Sequence, residues 1–527
     1  MNRTLRTTLV ATAALLVGAA CTDPTVAPKS TINSETVFTE PSAYRALIAK
    51  VYAGLAVTGQ TGPFGNADIV TNDEGFSQYM RLYWQMQTLP TDDAVIAWGD
   101  QALSELNTQM WSSANPFLGA MYYRIYFQVA MANVFLRETS ASKLSSRGVS
   151  GPLATEIATY RAEARFLRAF SLYHAMDLFG SVPLIDEDAS FTTPPAQATR
   201  QQVYDFVVGE LTAIRNELPA AGTAEYGRVD RGTVAMLLAK IYMNAGVYTG
   251  TTRYAEALTE VNAVIAGAYT IDPNYRRMFS ADNETSPELI WSIPQDGIRM
   301  KNYGGTTFLV HANVGGPMNN SDYGINGGWW GLRMRQQTRN LFPSIGAGAV
   351  DGRAAFWVNM NDSVIVNMTD FQQGTGVPKF TNKTSGGANG SDPEFADTDM
   401  PVFRLGDAYL MYAELYARNV AGTVGATALG YVNALRQRAY GNASGNIGAA
   451  NLITTDFVLD ERGRELYMEG HRRQDMIRYG IFTGGTRLWT FKGGPAAGAS
   501  TAAFRDLYPI PASELIANKN LTQNTGY

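Results

Sequence analysis

Cysteine is almost absent from this sequence, because Cys21 is the only one among 527 residues. A chain without a second thiol forms no internal disulfide, so burial must stabilise the fold, and a chain of this length can bury a large core. After the first 20 residues, no apolar run is long enough to cross a bilayer. No Pro-, Gly- or Ser-rich linker and no run of like charges divides the chain, which favours one compact body.

Charged residues are also scarce. They make up 17% of the chain, and the formal net charge is -5. Removing residues 1–20 takes away two arginines and no acid, so the formal net charge becomes -7. This negative balance argues against nucleic acid as a partner. Aromatic residues at 11% and 51 glycines indicate a large core with many polar, uncharged loops.

The residue patterns of common enzymes are missing. The three histidines, His174, His311 and His471, are not spaced to share a metal ion, and no HExxH, GxSxG or Walker sequence occurs. We therefore expect a protein without catalysis and without a cofactor. The sequence leaves open a carboxylate pair for glycoside hydrolysis, because Asp and Glu are too common to exclude one, and it leaves open a metal ion in the loops.

The first 20 residues have the pattern of an export signal. Arg3 and Arg6 precede an apolar run at residues 9–17, and small residues 18–20 stand before Cys21. We predict a lipoprotein signal peptide at 1–20, lipidation of Cys21 and a tether at 21–40, rich in Pro, Thr and Ser. The alternative is an ordinary cleaved signal that happens to contain a cysteine.

Residues 156–185 predict a long core helix. Apolar or small side chains recur at three- and four-residue steps, and Gly180 followed by Pro183 ends the helix. Arg161, Arg165 and Arg168 share one side and need carboxylates from elsewhere. The acids of residues 457–480 are the candidates.

Further helical patterns come in pairs. Residues 230–244 with 253–266, and residues 406–418 with 426–440, have small residues where two helices must approach, as in the tetratricopeptide repeat. The sequence therefore predicts a mainly α fold built on tetratricopeptide-like helical pairs. We place a helical domain at 41–290, a loop-rich insertion at 291–400 and a C-terminal domain at 401–527.

Aromatic residues concentrate in two regions. In residues 76–101 some rings belong to the predicted core, but Trp98 lies beside Asp100 and Gln101 near a loop. Residues 292–390 are rich in Gly, Asn, Ser and Thr and include Tyr303 and the pair Trp329–Trp330. Rings flanked by hydrogen-bonding side chains suit a sugar, and long loops on a rigid scaffold often carry binding sites.

Four stretches, in order, resemble landmarks of the SusD/RagB family of nutrient-binding outer-membrane lipoproteins. They are RAEARFLRAFSLYHAMDLFGSVPLI, the helix pair ending in VNALRQRAY, ERGRELYMEGHRRQDMIRYG and YPIPASELIANKNLTQNTGY. The resemblance extends over nearly the whole chain after the predicted signal. It implies a lipid-anchored protein at the cell surface that delivers glycans, starch-like ones among them, or peptides to a SusC-like TonB-dependent transporter.

The resemblance also implies a ligand site. The predicted ligand-binding residues are Trp98, Arg81, Asp73, Asp100, Gln101, Tyr303, Trp329 and Trp330. The structural alternative for Arg81 is an ion pair with Asp92 or Asp93. A glycoside hydrolase and a pure protein-interaction scaffold are the remaining alternative functions.

Overall fold

The computed structural model describes residues 37–38, 40–63, 67–69, 75–189, 192–342, 351–357 and 364–527. The predicted signal peptide, Cys21 and nearly all of the predicted tether lie outside these residues. The described residues of Arg45–Tyr527 form one compact unit. The finer division at residues 290 and 400 stays a prediction.

The described chain is mainly α-helical. Its α-helices are α1 Pro41–Ala56, α2 Tyr79–Thr88, α3 Leu103–Thr108, α4 Pro116–Glu138, α5 Ala141–Ser146, α6 Gly151–Phe179, α7 Arg200–Ile214, α8 Arg231–Met243, α9 Ala245–Thr249, α10 Tyr254–Ile265, α11 Gly305–Asn313, α12 Gln336–Arg339, α13 Leu405–Ala417, α14 Gly425–Tyr440, α15 Thr455–Leu466, α16 Arg472–Arg478 and α17 Ala512–Ala517. None of the helices in these ranges is both long enough and apolar enough to span a bilayer.

Within the part of the chain that the structure describes, six short strands form three antiparallel pairs. The strands are β1 Ala94–Ile96, β2 Val182–Pro183, β3 Gln197–Ala198, β4 Leu289–Ile293, β5 Leu332–Met334 and β6 Met400–Arg404. β1 pairs with β5, β2 with β3, and β4 with β6. Two of these pairs join segments more than 100 residues apart, so they fasten distant parts of the chain to each other.

The predicted helical pairs are confirmed. α8 packs on α10, and α13 packs on α14 and α15. The predicted boundaries lie within one residue of those observed. The fold class is therefore the one that the sequence predicts.

The long helix α6 lies at the centre of the core and packs against α4 and α7. Every residue from 166 to 179 is buried, because aromatic and aliphatic side chains surround the helix on all sides in this half. Gly180 follows with φ +76°, a conformation that favours glycine, and ends the helix as expected.

The predicted partners of the α6 arginines are wrong. Arg165 and Arg168 both pair with Glu210 of α7 at 2.7 Å, and Arg161 donates to the carbonyl oxygens of Leu136 and Thr139. Helix α7 packs directly on α6, so its carboxylate is nearer than any acid of residues 457–480. Periodicity reveals that a charge needs a partner, but it does not show which helix supplies one.

The acids of α15 instead belong to a separate buried network. Glu465 accepts hydrogen bonds from the guanidinium groups of Arg353, Arg404 and Arg438, and these arginines hold the pKa of Glu465 well below its usual range. The next acid, Glu469, pairs with Arg404 and with buried Lys379. Buried charges persist when each has a partner, and this network meets that condition for Glu465 and Glu469.

Helix α11 was not predicted. Its sequence, GTTFLVHAN, shows no stripe of helical period, and all nine of its residues are buried. A helix surrounded by protein needs no polar face, so the periodicity that reveals surface helices is absent here.

Buried His174 makes the stability depend on pH. Its ring stacks on Tyr83 with 3.9 Å between centroids, its Nδ1 lies 2.9 Å from the Tyr79 hydroxyl, and burial lowers its pKa to about 3. In the unfolded chain it takes up a proton below about pH 6.5. Acidification from pH 7 to 5 therefore favours unfolding by about 2 kcal/mol through this residue.

We expect His174→Gln to remove this contribution to the pH dependence of stability. Denaturant unfolding at pH 7 and pH 5 should show that the wild type loses about 2 kcal/mol more stability over this interval than the variant does. Equal losses in the two proteins would show that His174 is not held neutral by the fold.

Candidate functional site

The pairing of β1 with β5 brings two distant aromatic segments together. Ala94 faces Met334 and Ile96 faces Leu332. One residue beyond the ladder, the amide of Ala97 donates to the carbonyl oxygen of Gly331 at 2.9 Å. Trp98 therefore lies directly beside residues 329–330, although more than 200 positions separate them in the sequence.

Three partly exposed rings form a row, which we call the aromatic arc: Trp98, Trp329 and Tyr303. The ring centroids of Trp98 and Trp329 are 6.2 Å apart, and those of Trp329 and Tyr303 are 6.0 Å apart. The planes are inclined by 53° and 61° rather than stacked on each other. Ring surface is thus left for a ligand, because these side chains are only partly covered.

Arg81 lies beneath the arc. Its guanidinium carbon is 4.6 Å from the ring centroid of Phe308 and 5.8 Å from that of Trp98, and Nη1 donates to the carbonyl oxygen of Tyr303 at 3.2 Å. The residue is 7% exposed. A cation over two ring faces is a favourable arrangement when water is largely excluded.

The acids named as alternative partners of Arg81 are engaged elsewhere. Asp92 pairs with Arg472 at 2.7 Å and with Arg487 at 2.8 Å, and the two arginines keep the pKa of Asp92 at about 2 despite its burial. Asp93 accepts the backbone amide of Met468. These contacts favour a role for Arg81 at the aromatic arc.

His311 of α11 holds Trp329 in two ways. The two rings stack with centroids 4.8 Å apart and planes 26° apart, and the carbonyl oxygen of His311 accepts the amide of Trp329 at 2.8 Å. The Nδ1 atom of His311 donates to the carbonyl oxygen of Gly327 at 2.6 Å, and burial lowers the pKa of the imidazole. The buried helix α11 thus orients a ring of the arc with a neutral imidazole.

Trp330 contributes through its backbone. Its carbonyl oxygen accepts the indole Nε1–H of Trp98 at 2.6 Å, which fixes the orientation of that ring. The side chain of Trp330 itself lies against Gly315 and Gly316, where an added Cβ would come within 2.4 Å of its Cβ and 2.1 Å of its indole ring, respectively. Trp329, rather than Trp330, therefore supplies the ring at the arc.

The remaining predicted residues differ in position. Asp100 and Gln101 are exposed and follow Trp98 by two and three residues. Asp73 lies outside the described residues. The assignment of all eight residues to a ligand stays a prediction, although five of them, Arg81, Trp98, Tyr303, Trp329 and Trp330, are joined by direct contacts.

The structure adds four residues that sequence reasoning missed, Phe308, His311, Glu394 and Phe395. The hydroxyl of Tyr303 donates to Glu394 at 2.7 Å, and the rings of Tyr303 and Phe395 are 5.2 Å apart. Phe308 and His311 lie on α11, whereas Glu394 and Phe395 lie in the segment before β6. Nothing in the local sequence indicates that these two segments share a site. Across the described ranges, no group of three His, Cys, Asp or Glu side chains is arranged to hold a metal ion.

Comparison with known proteins gives consistent matches. Residues 351–527 match the model of the SusD family, and residues 33–243 match one described as starch-binding and associating with the outer membrane. The chain is 32% identical to the starch-binding protein SusD of Bacteroides thetaiotaomicron, with 92% of each chain covered. It is 24% identical to SusD-like protein P2 of Formosa agariphila, covering 81% of this chain and 85% of that protein.

Solved structures share the fold. A SusD superfamily protein from Bacteroides thetaiotaomicron matches with a TM-score of 0.70 at 21% identity, covering 92% of this chain and 99% of that chain. Surface glycan-binding protein A from the same organism, in complex with laminarihexaose, matches with a TM-score of 0.68 at 20% identity and the same coverage.

The arc depends on a glycine at position 331. Its φ is +104°, and an added Cβ would lie 2.5 Å from Nε1 of Trp98. We expect Gly331→Ala to destabilise the fold by about 1–3 kcal/mol through backbone strain and to displace Trp98. Denaturant unfolding and tryptophan fluorescence measure the two effects.

Gly327→Ala is the matched control in the same loop. An added Cβ there meets nothing within 4 Å, and the backbone does not need glycine. We expect a change in stability within about 0.5 kcal/mol and an unchanged fluorescence spectrum. Equal effects of the two substitutions would show that Gly331 is not what allows Trp98 to lie where it does.

Proposed function

Because the chain belongs to the SusD family, we propose that it is a cell-surface protein that captures a glycan without altering it and passes it to an uptake system. The family membership rests on 32% identity over most of both chains. The relatives that define it are named for binding rather than for catalysis, and they favour a glycan over the peptide alternative.

The observation that carries the proposal is the aromatic arc. Trp98, Trp329 and Tyr303 come from two loop regions far apart in sequence, yet they form one row of partly exposed rings about 6 Å apart. Sugar rings present C–H faces that stack on such rings and hydroxyls that bond to polar groups at their edges. Exposed Asp100 and Gln101 follow Trp98 in the sequence, and Glu394 accepts the hydroxyl of Tyr303, so polar side chains stand beside the arc.

A starch-like α-glucan is the glycan that we propose. The relative at 32% identity is named as starch-binding, and residues 33–243, which include Arg81 and Trp98, match a model described in the same terms. The neighbour solved with laminarihexaose has the same fold at 20% identity, so the fold alone does not select one linkage.

The location and the partner belong to the same proposal. The description of the model matched by residues 33–243 supports association with the outer membrane. We propose anchoring through lipid on Cys21 and delivery of the glycan to a SusC-like TonB-dependent transporter. The support for these two points is the export pattern of residues 1–20 and the family membership.

We expect Trp98→Ala and Trp329→Ala each to weaken binding of maltoheptaose by about 1–3 kcal/mol, because each removes one stacked ring. Isothermal titration calorimetry on a form starting after Cys21 measures the affinity. Tyr254→Ala is the control, since this partly exposed ring lies on the scaffold helix α10 and should leave the affinity unchanged.

Two results would overturn the proposal. Unchanged affinity in both tryptophan variants would remove the arc from the site and favour a pure protein-interaction scaffold. Shortened products after incubation with starch would identify a hydrolase instead of a binding protein.

A further inference from the structure

Tyr226 is an exposed ring that is held in place by a buried acid. The residue is 46% exposed, and its hydroxyl donates to Asp399, which is 5% exposed. Asp399 also accepts the amide of Gln295 at 2.7 Å, and its own amide donates to the side-chain oxygen of Asn283 at 3.0 Å. Burial raises the pKa of Asp399 to about 7. Asp399 therefore holds both the backbone at Gln295 and the hydroxyl of Tyr226, which fixes the position of the exposed ring.

Two cavities meet at this ring. The first, of about 420 Å³, is mostly apolar and extends along α1 past Tyr52 and Ile48. The second, of about 570 Å³, lies between the turn at residues 294–300 and the segment before β6. Tyr226, Pro294 and Met300 line both. An exposed aromatic ring with apolar neighbours and open space beside it is suited to stack on the C–H face of a sugar.

A third cavity adjoins the second. It has a volume of about 360 Å³, shares Ile298 and Met300 with the second and reaches Lys301. The Nζ atom of Lys301 lies 5.2 Å from the ring centroid of Phe395, which in turn contacts Tyr303 of the arc. Two segments, residues 294–303 and 391–399, thus supply both lining residues of the second cavity, beside Tyr226, and Tyr303 with its contacts Glu394 and Phe395.

The charge of the second cavity restricts the ligand. Four carboxyl groups line it, those of Glu284, Asp296, Asp397 and Asp399, against the single guanidinium of Arg299. Asp296 and Asp397 already accept backbone amides of the surrounding turns. Their negative charge repels uronates and sulfated sugars, whereas the hydroxyls of a neutral sugar can donate to the carboxylate oxygens that remain.

We infer that Tyr226 is the platform of a second saccharide subsite, which takes a distant unit of the same neutral glycan chain that the aromatic arc holds. This inference rests on the proposed function and extends it, because it makes chain length a determinant of affinity. A short oligosaccharide contacts only the arc. A longer one also reaches Tyr226.

The test compares two ligands and three variants by isothermal titration calorimetry, with maltotriose and maltoheptaose as the probes. We expect Tyr226→Ala to weaken maltoheptaose binding about tenfold, the scale of one lost ring contact, and to leave maltotriose binding unchanged. Tyr226→Phe keeps the ring without its bond to Asp399 and should lose less. Ile516→Ala, at a side chain 72% exposed and remote in sequence, should change neither affinity.

The outcomes separate this inference from the proposed function. If Tyr226→Ala leaves maltoheptaose binding unchanged, or weakens both ligands equally, the second subsite is wrong and binding at the arc stands. If the wild type binds maltoheptaose no more tightly than maltotriose, the extension is likewise wrong. If the wild type binds neither ligand, the proposed α-glucan capture fails, and this inference fails with it.

Discussion

The antiparallel pairing of β1 with β5 is the constraint on which the candidate site depends. Only three residues of each strand take part, so the ladder needs support. Arg335, the residue after β5, is fully buried and donates to the carbonyl oxygens of Ala94, Leu89 and Asn107. The side chain of Asn107 bonds to both the amide and the carbonyl of Ile96. These groups satisfy backbone atoms that would otherwise be buried without partners, and they fix where Trp98 emerges beside Trp329.

The helical scaffold supports this arrangement through buried charges as well as apolar packing. Arg473 of α16 pairs with Asp177 of α6 at 2.8 Å, and Arg472 pairs with Asp92 just before β1. The C-terminal helices are therefore tied to the central helix and to the start of the ladder. Buried ion pairs of this kind add little net stability, but removing one partner leaves a costly unpaired charge, so they specify which segments must meet.

Much of the frame is predictable from the sequence, and most of the site is not. Helical periodicity and small residues predict α8, α10, α13 and α14, because both signals lie within each helix's own sequence. Trp98 was identified because hydrogen-bonding residues follow it in a loop. No local pattern encodes the partner of Arg165 or the support of Trp329 by His311, because each is a contact between separate segments. The helix α11 is surrounded by such contacts and therefore shows no local periodicity either. Resemblance to a family predicts that the aromatic segments share a site. Only the structure gives the distances between their rings.

The central claim is that a preformed row of rings, held by the β1–β5 ladder, binds a glycan by stacking. Its orienting bonds, from Trp98 to the carbonyl of Trp330 and from Trp329 to that of His311, are made between atoms of the protein itself. Preorganisation of this kind reduces the entropy lost on binding. The most direct measurement is a crystal structure of the protein with maltoheptaose. The account predicts glucose units against Trp98 and Trp329 with both indoles in their present orientations; a glycan bound elsewhere, or indoles that rotate away from these bonds, would contradict it.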